Sequence, residues 1–147
     1  MDFKRDQSAG YIINHLARLF ASALQARIEP MGASVGQFPL LLLLWEEDGL
    51  SQTEISTVLG IEKATVTNTL NRMERDRLIT RSRDPNDARR SLVHLTPIGQ
   101  GLQKELLDMA CEVNGRAAMG VSREEHDMFL KIAKKMIANL EADKQAV

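Results

Sequence analysis

The 147-residue sequence predicts a mostly α-helical chain with one small β-hairpin, an α+β fold. Three observations lead there. Apolar residues recur at helical spacing through most of the chain. Helix starts are marked by Ser34 with Gln37, Ser51 with Glu54 and Ser122 with Glu125, each a capping box, and by Thr96-Pro97, a cap with proline at the first helical position. The helical period is lost only between residues 78 and 95, where two strand-like runs flank a turn-rich link.

The elements follow in order. Residues 8–28 carry Ile12, Ile13, Leu16, Leu19, Phe20, Ala23 and Leu24 on a helical stripe, which Pro30 and Gly32 stop. A second helix starts near Val35, carries Leu40–Trp45 and ends at Asp48-Gly49; Pro39 then falls in its second turn, where a bend or tightened turn is expected. A short helix runs from the Ser51 cap to Leu59 and stops at Gly60. The next helix covers residues 62–76, with Val66, Leu70 and Met73 on one face. Residues 78–83 and 91–95 read as strands joined by the link 84–90. A long helix is expected from Pro97 to about Met119, stopped by Gly120. A last one runs to about Leu140, with Phe129, Ile132, Ala133, Met136, Ile137 and Leu140 on one stripe.

Composition narrows the function. The net charge of −1 excludes a generally polybasic binder. Aromatics, at 4%, are too few for a protein that stacks single-stranded bases. One cysteine, Cys111, excludes an internal disulfide framework and fits a reducing compartment; it is read as a small buried hydrophobe. The longest apolar run, Phe38–Trp45, is far short of the ~20 residues that span a bilayer. The N-terminus resembles no signal peptide, so a cytoplasmic, non-membrane location is expected. His15, His94 and His126 lack neighbours at ligand spacing, so no metal is expected. No phosphate loop, nucleophile–base pair or paired-carboxylate motif is present, so neither a cofactor nor an enzymatic activity is expected.

Charge is unevenly spread. Residues 1–49 sum to −2 and residues 100–147 to −1, whereas residues 50–99 sum to +2. Within that middle segment Arg72, Arg75, Arg77, Arg81, Arg83, Arg89 and Arg90 crowd into nineteen positions. All are arginine, the side chain that grips phosphates and base edges bidentately.

The segment Gln52–Asn71 meets the demands of a helix-turn-helix. Ser56 is small where a second helix must cross, Gly60 tolerates the turn, and Ile55, Leu59, Ile61, Val66 and Leu70 close the gap. Lys63, Thr65, Thr67, Asn68, Asn71 and Arg72 then lie outward on the second helix, toward a major groove. The Arg-bearing hairpin completes a winged helix-turn-helix.

The chain resembles the MarR family of transcriptional regulators. The resemblance rests on Asp87-Ala88-Arg89, then Val93-His94-Leu95-Thr96, then Gly99, the pattern D-x-R, V-x-L-T, x-x-G. It implies a single domain over 1–147, with a DNA-binding part at 34–99 and dimerisation helices at 8–30 and 97–141. It also implies a homodimer on roughly palindromic double-stranded DNA, and a repressor released by a small aromatic acid or phenolic effector. Asn68 and Glu62 depart from the family pattern, standing where many members carry Arg and a short capping residue. The alternative is an adaptor that dimerises and no longer binds DNA.

The expected interface comprises Lys63, Thr65, Thr67, Asn68, Asn71, Arg72, Arg75, Asp87, Arg89 and Arg90. Arg89, at the hairpin tip, is suited to a minor groove, with Asp87 orienting its guanidinium or closing an Asx-turn. Arg72, Arg75 and Arg77 are read as phosphate anchors. The expected effector pocket comprises His15, Arg18, Phe20, Phe38, Leu43 and Trp45; His15 and Arg18 fit a surface or dimer-seam contact better, and the other four fit simple core equally well.

Overall fold

The computed structural model describes residues 1–147, in two compact units, 1–111 and 112–147. In the first unit, helix α1 (Ala9–Ile28) is capped by Ser8 Oγ accepting from Tyr11 N–H at 3.3 Å. A 3-10 turn over Glu29–Met31 ends it, with Gly32 left-handed at φ 85°.

The second helix, α2, is Phe38–Glu46, starting three residues later and ending sooner than the spacing predicts. Residues 34–37 form a turn in which Gln37 N–H donates to the Ser34 carbonyl at 3.0 Å and Gln37 Oε1 accepts from Ser34 N–H at 3.1 Å. Only the glutamine half of that capping box forms. Gln37, 3% exposed, also donates from Nε2 to Asp76 Oδ2 at 3.0 Å, a partner that local sequence does not reveal. The later start puts Pro39 in the first turn, where its missing N–H removes no helical bond, so the expected bend has no cause.

Helices α3 (Gln52–Leu59) and α4 (Lys63–Arg75) lie as predicted, with Gly60 left-handed at φ 63° between them. The hairpin is longer than expected: β2 is Ile79–Asp84 and β3 is Asp87–Leu95, so most of the link is strand and only Pro85 and Asn86 turn. Arg83 faces Ser91 and Asp84 faces Asp87, so residues 88–90 bulge from the ladder. Arg89 therefore stands on this bulge beside the turn, not at the tip. A two-residue strand, β1 (Leu50–Ser51), pairs with Val93 and Leu92 and completes a sheet of order β1-β3-β2. Two residues carry no readable period, which is why the sequence did not show it.

The expected long helix is broken. α5 (Pro97–Gly101) and α6 (Gln103–Ala117) meet at Leu102, where Gly99 and Gly101 supply poor helix propensity. Cys111, on α6, is exposed, which corrects its reading as buried; it lies off the face of the helix that buries Leu106.

The core of the first unit joins Ile28, Leu40, Leu41, Leu44, Ile55, Val66, Leu70, Met73, Leu78, Ile79, Val93 and Leu106, all nearly inaccessible. Each such side chain contributes about 1.5–3 kcal/mol relative to exposure. The second unit contains the end of α6 and α7 (Arg123–Ala146), which runs past the predicted end at Leu140. Its full capping box pairs Ser122 and Glu125 reciprocally. No helix is long and apolar enough to cross a membrane.

Candidate nucleic-acid interface

The α3–α4 unit is held by a hydroxyl and a glycine. Ser56 Oγ donates to the Ile61 carbonyl at 2.6 Å, and Ile61 N–H donates to the Ser56 carbonyl at 3.2 Å, tying down the turn at Gly60. Ile55, Val66 and Leu70 fill the angle between the helices. Packing thus fixes which face of α4 looks outward. Lys63, Thr65, Asn68, Asn71, Arg72 and Arg75 are exposed there, while Thr67 is half-buried. Glu62, at the N-cap of α4, makes no side-chain cap bond, so the first turn is left open.

Three of these side chains are engaged. Thr67 O–H donates to the Lys63 carbonyl at 3.0 Å. Asn71 Oδ1 accepts from Arg81 Nη2 at 2.6 Å. Arg75 Nε reaches Asp76 Oδ1 at 3.1 Å, and this bond, with that from Gln37, holds the Asp76 carboxyl below its usual range. Arg77, read as a phosphate anchor, has a backbone task as well. It is the one non-glycine residue with positive φ, at 61°, and it turns the chain from α4 into β2. Thr96 O–H stabilises that turn by donating to the Arg77 carbonyl at 2.6 Å.

On the wing, Asp84 Oδ1 accepts from Asn86 N–H at 2.9 Å and closes the turn. Asp87 Oδ1 accepts from both Arg89 N–H at 3.0 Å and Arg89 Nε at 3.3 Å. One carboxylate therefore plays both roles expected of it. The Arg89 side chain is 92% exposed. Arg90 differs: it pairs with Glu54 at the start of α3 and with Asp84 at 3.6 Å, so it braces the wing against the body.

Residues 34–91 match the family model described as MarR family. The HTH-type transcriptional regulator TtmR of Methylorubrum extorquens (strain PA1) is 31% identical over 114 residues, 78% of this chain and 58% of that protein. The chain thus spans little more than half of that relative's length. Among solved structures, a MarR transcriptional regulator from Methanosarcina mazei Go1 superposes with a TM-score of 0.80 at 28% identity, over 90% of this chain and 96% of that one. The chain belongs to the MarR family. The transcriptional repressor CouR, solved on a 23-mer DNA duplex, shares the MarR fold with a TM-score of 0.82 at 24% identity, over 93% of this chain and 99% of its own.

The family match ends within β3, so the MarR pattern beyond it is read from the structure. Val93 is buried in the sheet, and Thr96 Oγ1 accepts from Gly99 N–H at 3.1 Å to cap α5. Gly99 lies against the Leu78 carbonyl so closely that a Cβ there would sit 2.2 Å from the oxygen. The pattern is structural at these positions, whereas Asp87 and Arg89 pair with each other on the wing.

Two residues that tie the wing to the helix-turn-helix, Gln52 and Arg81, are not singled out by the sequence. Arg81 counted only as one of a cluster, and its partners lie seven to twenty-nine positions away. Of the six residues expected to line an effector pocket, the structure brings Phe38 and Trp45 into contact. His15 and Arg18 are exposed on α1, and Phe20 is half-buried. Phe38 is buried, edge-on to Trp45 with centroids 6.3 Å apart, and Trp45 Nε1 donates to the Gly99 carbonyl at 3.0 Å. Leu43 lines an open cleft of about 510 Å³ with Glu47, Leu50, Thr57, Val58 and Arg90.

Proposed function

We propose that this chain is a sequence-specific, double-stranded-DNA-binding regulator of transcription that acts as a homodimer, represses, and is released by a small aromatic acid or phenolic effector. The observation that carries the reading is an exposed polar face on α4 together with an exposed arginine on the wing that Arg81 ties to that helix. Lys63, Thr65, Asn68 and Arg72 are exposed on a helix whose opposite face is buried, and Arg89 projects from a hairpin beside it. A helix with short polar side chains suits major-groove base edges, and a projecting guanidinium suits a narrow minor groove. The duplex in the CouR structure supports the same use of the fold.

Dimerisation is supported by apolar surface that a soluble monomer rarely exposes. Ile12 and Leu19 on α1, and Phe129, Ile132, Ile137 and Leu140 on α7, are each more than 40% exposed. Two-fold symmetry would present two equivalent reading helices to a roughly palindromic site, about 34 Å apart for successive major grooves. The effector would engage the apolar and basic side chains named for it, Phe20, Phe38, Leu43, Trp45, His15 and Arg18, and shift the population of DNA-competent dimers.

The test is duplex binding by the full chain across a salt series. Affinity should fall steeply with salt, and Asn68→Ala should relax preference at one position of each half-site, at about 1–3 kcal/mol. An aromatic carboxylate added to the complex should lower affinity. No salt-dependent duplex affinity would return the reading to a dimerising adaptor.

A further inference from the structure

One guanidinium joins the wing to both helices of the helix-turn-helix. Arg81, on β2, donates from Nη2 to Asn71 Oδ1 at 2.6 Å and to Glu74 Oε1 at 3.2 Å, and from Nε to Glu74 Oε2 at 3.4 Å, both on α4. From Nη1 it donates to Gln52 Oε1 on α3 at 3.4 Å. Gln52 Nε2 donates onward to Thr67 Oγ1 at 3.3 Å, and the Thr67 proton goes to the Lys63 carbonyl. The Arg81 side chain is 20% exposed and its charge is matched by Glu74, whose carboxyl it holds below the usual range. It is therefore poorly placed to anchor a phosphate.

A guanidinium has five donors and no acceptor. It accordingly sets the polarity of every group it touches. Both amides must turn their oxygens toward Arg81. For Asn71 this leaves Nδ2, two donors without a partner in the chain, on the exposed side of α4. Reading adenine needs the amide oxygen and the amide nitrogen to face the base together. Guanine instead offers two adjacent acceptors, N7 and O6.

We infer that Arg81 is a specificity-positioning residue, which holds the Asn71 amide oxygen inward so that Asn71 presents only donors and selects a G·C pair in place of A·T. The inference rests on the duplex-binding reading above.

The experiment is selection from a random duplex pool by the full chain, in wild type, Asn71→Ala, Arg81→Met and Arg81→Lys, with thermal melts of each. The position whose enrichment Asn71→Ala erases is the one Asn71 reads. Wild type should enrich G·C there. Arg81→Met frees the amide to flip and should admit A·T, a shift in preference of at least about fivefold. Arg81→Lys keeps the charge, but its shorter, unforked ammonium is drawn to the Glu74 carboxylate and leaves the Asn71 amide free, so it should behave like Arg81→Met; it also carries the test if Arg81→Met does not fold. Other positions should hold their preference. Enrichment of A·T at that position by wild type would overturn the inference, as would an equal loss at every position in both Arg81 variants, the mark of a merely structural role. If wild type enriches no sequence and binds no duplex, the regulator reading itself falls and takes this inference with it.

Discussion

Gly99→Ala should destabilise the fold by about 2–4 kcal/mol, a large effect for one methyl group. A Cβ at this position would stand 2.2 Å from the Leu78 carbonyl oxygen and 3.1 Å from its carbon, with Leu95 Cδ2 at 3.2 Å. Real Cβ atoms essentially never approach closer than 3.0 Å, so the first turn of α5 must retreat by about 0.8 Å. The obstacle is backbone and cannot swing away. Retreat strains two bonds that converge there, Thr96 N–H to the Leu78 carbonyl and Trp45 Nε1 to the Gly99 carbonyl, each 3.0 Å long. Overpacking costs about 1–3 kcal/mol and each weakened bond about 1 kcal/mol, while alanine returns about 1 kcal/mol of helix propensity. Gly101→Ala is the control. It meets nothing within 4 Å, so only the propensity gain, up to about 1 kcal/mol, should remain. Urea unfolding at matched protein concentration reads both, with unchanged slope expected. A Gly99→Ala loss below about 1 kcal/mol would refute the reasoning, since the 2.2 Å contact would then relax at little cost.

Arg89→Ala should weaken duplex binding by more than the ~1 kcal/mol of a surface ion pair, with no change in melting because the side chain is 92% exposed. Arg89→Lys should restore it only in part, since an ammonium is harder to strip of water in a narrow groove; affinities within about twofold for all three would leave the wing a spacer. Leu19→Glu with Ile132→Glu should convert a dimer into a monomer by light scattering, and a wild type already monomeric at micromolar concentration would dispose of the dimer. The Asp76 carboxyl lies below its ordinary 3.8 because Arg75 and Gln37 bond its charged form. The stability this contributes is complete above the ordinary value and disappears as pH falls through the lowered one. Asp76→Asn should therefore be less stable than wild type near pH 7 and converge with it as pH falls through the lowered carboxyl value, read by urea midpoints; parallel curves would mean the pairing is energetically idle.

Errors of the sequence reading share a cause. Helix ends capped by neighbours, at Ser51, Gly60, Thr96 and Ser122, fall where the residues predict, because cap and capped group lie within four positions. The start of α2 does not, because Gln37 serves a partner thirty-nine positions away and its segment becomes a turn. The hairpin was recognised from its strands, but its bulge depends on how β2 and β3 slide past each other, which alternation does not encode. The same distinction divides the site. Lys63, Thr65, Asn68 and Arg72 stand exposed on α4 as expected, because helical period alone assigns a face. Arg90 is assigned to the interface by its place in the arginine cluster, and its pairing with Glu54 and Asp84 is visible only in the fold.

By itself the sequence determined the order and type of the main elements, the helix-turn-helix, the wing and the family pattern, all carried by spacings of a few residues. Tertiary structure alone decided that β1 exists, that α5 and α6 are separate, that Gly99 must lack a side chain, and that Arg81 orients Asn71. Those facts depend on groups brought together across tens of residues. Hydrogen-bond direction and steric contact are properties of the assembled pair, and a donor's partner is not written beside it in the chain.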